Sequence, residues 1–418
     1  MNSRTELSSA GPSGLGKIVI VGAGPAGLLL ALMLGQQGIP VTVLEAWGRL
    51  DERLRATQYG TPATRVFRKA GVLDEIRAAG IERFPSISWR KVDPEQTRIT
   101  GIDLTVTKDE PDRTTVLPLN LLLKILLEHC KRQSSIEVKF EHKVIEVGQN
   151  ESKAWADAVM PSNERKRFEG DYVIGCDGAS STVRQQLFGR NWPGITWDHS
   201  LLVQNVFYDG FTEHGWSGGN YMIDPNHWGL IAERGKGGLW RVTYGDIGGL
   251  THEQYLKRRE EHFEAMFPGH PKPDQYRVEQ TDQFRIHNRC VEKMRVGRIL
   301  LAADAAHVCN PFGGYGLMVG VLDIDGLTDC LIGMHQRKVG DEILDKYAEI
   351  RREKFLNYVE PRSIKNMNRL RAQNPDSALR DDKFLQILAH LEKDPEEAKA
   401  FLLKFSSIEH DFKQYYII

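Results

Sequence analysis

The sequence predicts an α/β fold in which a doubly wound parallel sheet is interleaved with a mainly antiparallel sheet and followed by C-terminal helices. Three observations predict it. Short strand-like segments recur at Ile18–Val21, Val41–Leu44, Phe168–Ile174 and Arg298–Ala302, and largely apolar ones such as Ile18–Val21 belong to sheets covered on both faces. Turns marked by glycine or by small residues follow three of these runs, far apart in the chain. From about Asn191 to Phe284 the pattern changes to alternation, and five of the eight tryptophans fall between Trp192 and Trp240. That change marks a separate sheet.

The first unit runs from Lys17 to Glu45 as strand, Gly22-Ala-Gly24-Pro-Ala-Gly27, apolar helix, strand and acid. This is the order of a dinucleotide-binding βαβ unit. Gly22 permits the tight turn, Gly24 lets backbone approach a pyrophosphate, and Gly27 brings helix and strand together. The helix N-terminus faces the phosphates, and Glu45 lies where a carboxylate accepts hydrogen bonds from a ribose. The bland alternatives are a glycine-rich turn in an ordinary α/β protein and a membrane span. The span is disfavoured by the Gly-Pro interruption and by the Gln-Gln-Gly-Ile-Pro stretch downstream.

At 418 residues the chain has room for two joined domains. Lys plus Arg number 55 against 56 for Asp plus Glu, a balance that points to neither nucleic acid nor an acidic surface partner. The five cysteines are scattered without metal-type spacing, which favours a reducing, cytoplasmic setting and no metal. Residues 1–16 are Ser- and Gly-rich and read as a disordered tail rather than a signal peptide.

Along the chain, Thr61–Ala70 reads as a helix ended by Gly71, and about Phe84 to Thr115 as strands leaving the first domain. Leu119–Lys131 is an amphipathic helix, and the stretch after it holds short strands. A second turn, Gly175-Cys-Asp177-Gly178, precedes a helix that Ser180, Ser181 or Thr182 caps. A third, Ala303-Asp304-Ala-Ala-His307, leads into a glycine-rich run to Gly320. After Gly340 the pattern is helical: Asp341 to Val359 is expected to stop at Pro361, and Asp394-Pro-Glu-Glu397 is a capping box. The resulting division is 17–83, 116–188 and 286–338 for the nucleotide-binding domain, 84–115 and 189–285 for the other sheet, and 339–418 for the helical end.

Three turns at the C-terminal ends of parallel strands can converge on one cofactor. VGAGPAGLLLALML with Glu45, YVIGCDGASSTVRQQL, and GRILLAADAAHVCNPFGGYGLMVGVLDIDGL, trailed by YAEIRREKF, together resemble the single-component FAD-dependent aromatic hydroxylases. The resemblance is to the para-hydroxybenzoate hydroxylase type, with a leaning to fungal members, and covers roughly Lys17 to Arg352. It implies a Rossmann-like FAD-binding domain interleaved with a mainly antiparallel substrate domain. By this resemblance Gly22, Gly24, Ala26, Gly27 and Glu45 hold the ADP half of FAD. Arg55 lies near the pyrophosphate, and Val144 offers backbone to adenine. Asp177 belongs to the motif tied to FAD and NAD(P)H, and Asp304 meets the ribityl chain. Pro311 with Gly314, Gly316 and Leu317 lines the isoalloxazine, and Asn120 opens the flavin-facing helix. Departures are Ala303 for the usual Gly, Met318 for the usual Asn, and Asn120 for Arg or Gln.

No second strand–GxGxxG–helix unit occurs, so NAD(P)H is expected as a visiting co-substrate. The implied reaction inserts one atom of O₂ into an aromatic phenolic or polyketide-like molecule through a flavin C4a-hydroperoxide. Epoxidase, decarboxylative and reductase or dehydrogenase variants stay open, as does a non-enzymatic binder of the GDP-dissociation-inhibitor type. A phenol needs a base or relay. His214, Tyr221, His227 and Tyr244 are candidates, each more readily a wall or surface residue. Arg241 is a candidate for an acidic substrate group but reads more readily as a salt-bridged edge residue. His307 reads as support for its turn.

Overall fold

A computed structural model describes residues 14–53, 55, 57–81, 84–234, 238–404 and 407–417; the tail expected at 1–16 lies mostly outside them. Six strands form the parallel sheet in the order Arg295–Val296, Ile299–Leu301, Tyr172–Gly175, Ile18–Val21, Val41–Leu44, Ile136–Lys139, with only the first of them antiparallel to its neighbour. Ile18–Val21 sits inside this sheet and every residue of it is buried. That is why the run carries no polar residue. Helix Pro25–Gly35 follows, apolar on all sides because the sheet and the helices Leu119–Lys131 and Tyr315–His335 enclose it. Each of its fully buried leucines contributes about 1.5–3 kcal/mol by leaving water.

The second sheet has eight strands, in the order His307–Val308, Arg277–Cys290, Gly194–Phe207, Leu239–Ile247, Gly229–Glu233, Gly219–Ile223, Ser86–Lys91, Arg98–Asp103. Strand Leu239–Ile247 alternates without a bulge. One of its faces (Trp240, Val242, Tyr244) packs with Phe263 and Met266 of helix His252–Met266. The strand expectation for 191–284 thus gives way to a helix over His252–Met266, whose start is marked by a Thr251/Gln254 capping box.

Asp246 ends that strand and receives two hydrogen bonds from Arg258 Nε, at 2.8 and 3.1 Å, with His262 at 3.3 Å. Burial alone would raise its pKa, but the close approach of His262 and the bonds from Arg258 outweigh this and hold the carboxyl below the usual range. A depressed folded pKa stabilises above the unfolded carboxyl pKa, about 4, and the contribution fades as pH falls through the folded value. Asp246→Asn is therefore expected to cost about 2 kcal/mol at pH 7, with the gap to the parent narrowing in urea titrations near pH 3.

Two expectations for the C-terminal helices need correction. The chain does not stop at Pro361: helix Ile343–Lys354 passes through a π-helical turn, Phe355–Val359, into helix Glu360–Arg371. The wider π turn precedes the proline, which then falls in a first helical turn where its missing N–H costs little. At Asp394 the cap forms, with Glu396 and Glu397 amides donating to Oδ1 at 3.1 and 3.0 Å. The reciprocal half of the box does not form, because the Glu397 carboxylate turns to His390 at 2.9 Å.

The last segment docks on helix Tyr315–His335 where that helix has glycine. A side chain at Gly326 would lie 2.6 Å from the Phe412 ring, and one at Gly333 would collide with Tyr416. Among the described residues no helix is long and apolar enough to cross a membrane.

Candidate active site

The strand register brings the three turns together. Val21 pairs with Leu44 and with Gly175, and Gly175 pairs with Leu301. The segments that follow these residues leave the sheet along one edge, where α/β proteins bind ligands.

Gly22 has φ +103°, and a side chain there would strike the Cys176 carbonyl at 2.6 Å. Gly27 abuts the Gly22 carbonyl so closely that no Cβ fits. Gly24 differs. Its backbone is extended, and its Cβ would meet nothing nearer than the Cys176 carbonyl at 4.0 Å. Nothing in the fold requires glycine at that position, so the open space in front of it is what the residue serves. Gly178, Gly314 and Gly316 likewise face open space. Ala26 is buried in the first turn of the helix. Glu45 folds back on the loop, accepting from the Ala23 amide at 2.7 Å and the Trp47 amide at 2.9 Å. Each carboxylate oxygen keeps a second lone pair for a hydroxyl.

Asp177 accepts from the Thr182 and Val183 amides at 2.7 and 3.2 Å and from the Ser181 hydroxyl. Ser181 is the cap, its Oγ accepting from Arg184 N at 2.9 Å. The acid thus helps build the turn rather than standing free in the cleft. Val144 is buried at a register shift in strand Lys143–Gln149. Asn120 is half-buried at the start of its helix.

The third turn carries Asp304 into the cleft, open to solvent on one side and walled by protein on the others. Burial raises its pKa, tempered by His307 and Arg55. No described side chain or amide hydrogen-bonds to it. Pro311, Gly313 and Gly314 are exposed, and Gly314, at φ +67°, starts helix Tyr315–His335. The first-turn amides at Tyr315, Gly316 and Leu317 have no intrahelical acceptor and form an electropositive end. Ala303 adopts φ +53°, a left-handed conformation that costs an L-residue about 1–2 kcal/mol. Its methyl is accommodated by the absence of a side chain at Gly320, where a Cβ would lie 2.8 Å away. Ala303→Gly relieves that strain against a loss of about 0.5–1 kcal/mol in chain entropy. It is expected to leave the urea midpoint unchanged or slightly raised; a drop worth more than about 1 kcal/mol would show that the turn is unstrained.

Across the cleft, Arg241 is not an edge residue, and the charge of Asp282 acts on it. It lies in an interior strand, and its hydrogen bonds go to neutral oxygens, Asn205 Oδ1 and the Arg55 carbonyl, both at 2.9 Å. Arg55 itself lies over the Phe284 ring at 4.5 Å. Tyr221 shares the sheet face of Arg241 through the register Tyr221↔Leu230↔Thr243. Burial pushes its hydroxyl up to about 12, with the Gly313 backbone opposing. Tyr244 lies on the opposite face, its ring 4.3 Å from His262, which His227 contacts in turn at 3.1 Å. Neither Tyr244 nor His227 faces the three turns. His214 is exposed at the end of a short helix.

The sequence offers no hint of Arg234. It follows strand Gly229–Glu233 in phase with Ala232, the partner of Arg241. Its Nε and Nη1 are shut from solvent, with no hydrogen-bond partner among the described residues. Burial first, then repulsion by Arg241, pushes it down to about 9, while Tyr59 and Tyr221 act the other way. It stays charged at neutral pH. The only local cue is an arginine in strand phase after GLIAE, which reads as an edge charge.

The cleft fits FAD. It offers glycines open toward a ligand, a lone acid beneath them, and a helix end for the negative pyrimidine edge. The family described as FAD binding domain matches residues 16–360. Para-nitrophenol 4-monooxygenase of Pseudomonas sp. (strain WBC-3) is 36% identical over 87% of this chain and 90% of its own length. 6-Hydroxy-3-succinoylpyridine 3-monooxygenase HspB of Pseudomonas putida (strain DSM 28022 / S16) is 33% identical, over 87% and 91%. The crystal structure of p-nitrophenol 4-monooxygenase PnpA from Pseudomonas putida DLL-E4 superposes with a TM-score of 0.86 at 34% identity, covering 95% of this chain and 98% of that one. These relatives are bacterial and lend the fungal leaning no support. The chain belongs to the FAD binding domain family and is an FAD-dependent monooxygenase of the aromatic hydroxylase type.

Proposed function

We propose that the protein hydroxylates a phenol whose ring carries a second negative or strongly electron-withdrawing group, such as nitro or carboxylate, using NAD(P)H and O₂. The observation that carries this reading is Arg234: a guanidinium whose buried Nε and Nη1 have no hydrogen-bond partner among the described residues, under the repulsive charge of Arg241. The charge of Asp282 offsets that of Arg241, whereas no carboxylate acts on Arg234 among the described residues, and a substrate oxygen supplies the missing anion. The relatives named for p-nitrophenol support the same chemistry.

FAD, when bound, takes electrons from the reduced nicotinamide and activates O₂. The protein's part is to bind, orient and exclude water. Gly22, Gly24, Gly27 and Glu45 take the ADP half, with Arg55 near the pyrophosphate and Val144 near adenine. Asp304 takes the ribityl chain, and the amides from Gly314 to Leu317 the pyrimidine edge. Tyr221, kept protonated by burial, donates to the substrate rather than acting as base at rest. A para-nitro group acidifies a phenol enough for it to enter as phenolate and need no strong base, whereas a carboxylate-bearing phenol enters with its hydroxyl protonated.

The test is a panel of para-nitro, para-carboxyl and para-alkyl phenols, followed by NAD(P)H consumption and by ¹⁸O incorporation from ¹⁸O₂. Label is expected in the products of the first two. Substrate-stimulated NAD(P)H oxidation that never labels a product would refute oxygen transfer, and equal turnover of the alkyl phenol would refute the anion requirement.

A further inference from the structure

We propose that Asp323 is a positioning residue for the FAD site, holding the turn that presents Asp304 in the only shape that aims this acid into the cleft. Asp323 lies in the middle of helix Tyr315–His335, directly after the apolar run Leu317–Leu322, and is fully buried. Its Oδ2 accepts from both ends of the third turn, the Ala303 amide at 3.1 Å and His307 Nε2 at 2.7 Å. Asp304 is the residue between these two anchors that reaches the cleft. The Oδ1 atom accepts from Arg351 Nε at 2.7 Å, and Arg351 Nη1 donates to the Ile408 carbonyl at 2.7 Å. His307 also stacks on Phe355, in the π-helical turn, at 4.4 Å. One carboxylate therefore joins the turn, its own helix, the helix of Arg351 and the C-terminal segment.

A mid-helix acid in a core is expensive unless paired, so simple packing does not explain it. The backbone supplies the reason. Ala303 stands at φ +53°, where an L-residue is disfavoured. The turn left alone would relax out of this conformation and swing Asp304 away. The Ala303 N–H is the group whose direction that relaxation would change, and Asp323 holds it. Burial would raise the Asp323 pKa, but His307 and Arg351 hold it below the usual carboxylate range. The anchor is thus charged at working pH.

The test uses the full chain and reads FAD binding instead of turnover. Apoprotein of the parent, D323N, A303G and the double variant D323N/A303G is titrated with FAD by fluorescence quenching, and the visible circular dichroism of the bound flavin is recorded. D323N is expected to weaken FAD binding at least tenfold and change the flavin dichroism. In the A303G background, where the turn no longer needs forcing, the same substitution is expected to cost less than threefold. An unchanged affinity and spectrum in D323N overturns the proposal. An equal loss in both backgrounds overturns it too, because Asp323 would then act through general stability. If D323N does not fold, H307Q, which leaves the Asp323–Arg351 pair intact, is carried through the same comparison with the same criteria.

Discussion

Arg234→Met is expected to raise KM for an anionic phenol by about 30- to 150-fold, the worth of one charge-assisted hydrogen-bonded pair at about 2–3 kcal/mol, while FAD content stays at parent level. The same substitution is expected to make the ligand-free protein more stable, by roughly 1 kcal/mol. The reason is the state of the guanidinium before substrate arrives. Its Nε and Nη1 have lost water without gaining an acceptor among the described residues, and Arg241 adds like-charge repulsion. Methionine fills much of the same volume and removes both costs. Opposite signs for stability and affinity are characteristic of a residue kept for its ligand. Thermal unfolding of the free protein and KM for a para-carboxyl and a para-alkyl phenol check this. If KM for both phenols moves together, or if stability falls, Arg234 is a packing residue and the anion site lies elsewhere.

Why Arg234 escapes the sequence is physical. A strand's alternation tells which residues share a face, but not what that face meets. The groups whose charge acts on Arg234 are Arg241, Tyr59 and Tyr221, which come from three other segments of the chain. Arg241 shows the same limit from the other side: read as a salt-bridged edge charge, it is interior because Gly229–Glu233 pairs beyond it. The nucleotide turns were legible for the converse reason. Gly27 acts on Gly22 and Ile20, a few residues away, so its spacing carries its role, and the strand–turn–helix order around it carries that of Gly22. Pro361 misled because a local rule was applied without the π turn that relaxes it. Asp323 had a signal in the sequence, an acid inside LMVGVLDIDGL. Its partners at Ala303, His307 and Arg351 required the fold.

The glycines of the first turn provide the clearest separation between what the fold needs and what the cofactor needs. Gly24→Val and Gly27→Val alter one motif by the same chemistry, yet their expected results differ in kind. At Gly27 the new Cβ falls on the Gly22 carbonyl oxygen, with Ile20 close behind. Helix and strand must part, and their shared core opens, at a cost of more than about 3 kcal/mol and loss of folded protein in the cell. At Gly24 the backbone is extended and the Cβ meets only one atom, at 4.0 Å. The apoprotein is therefore expected to melt within about 2 °C of the parent, since a surface change of this kind stays within about 0.5 kcal/mol. The isopropyl group nevertheless stands where a pyrophosphate must lie against backbone amides. FAD affinity is expected to fall at least a hundredfold, about 2.7 kcal/mol, read by fluorescence titration of the apoprotein. A Gly24→Val protein that melts like the parent and still binds FAD tightly would place the pyrophosphate elsewhere, because the space in front of Gly24 has no other use in the fold.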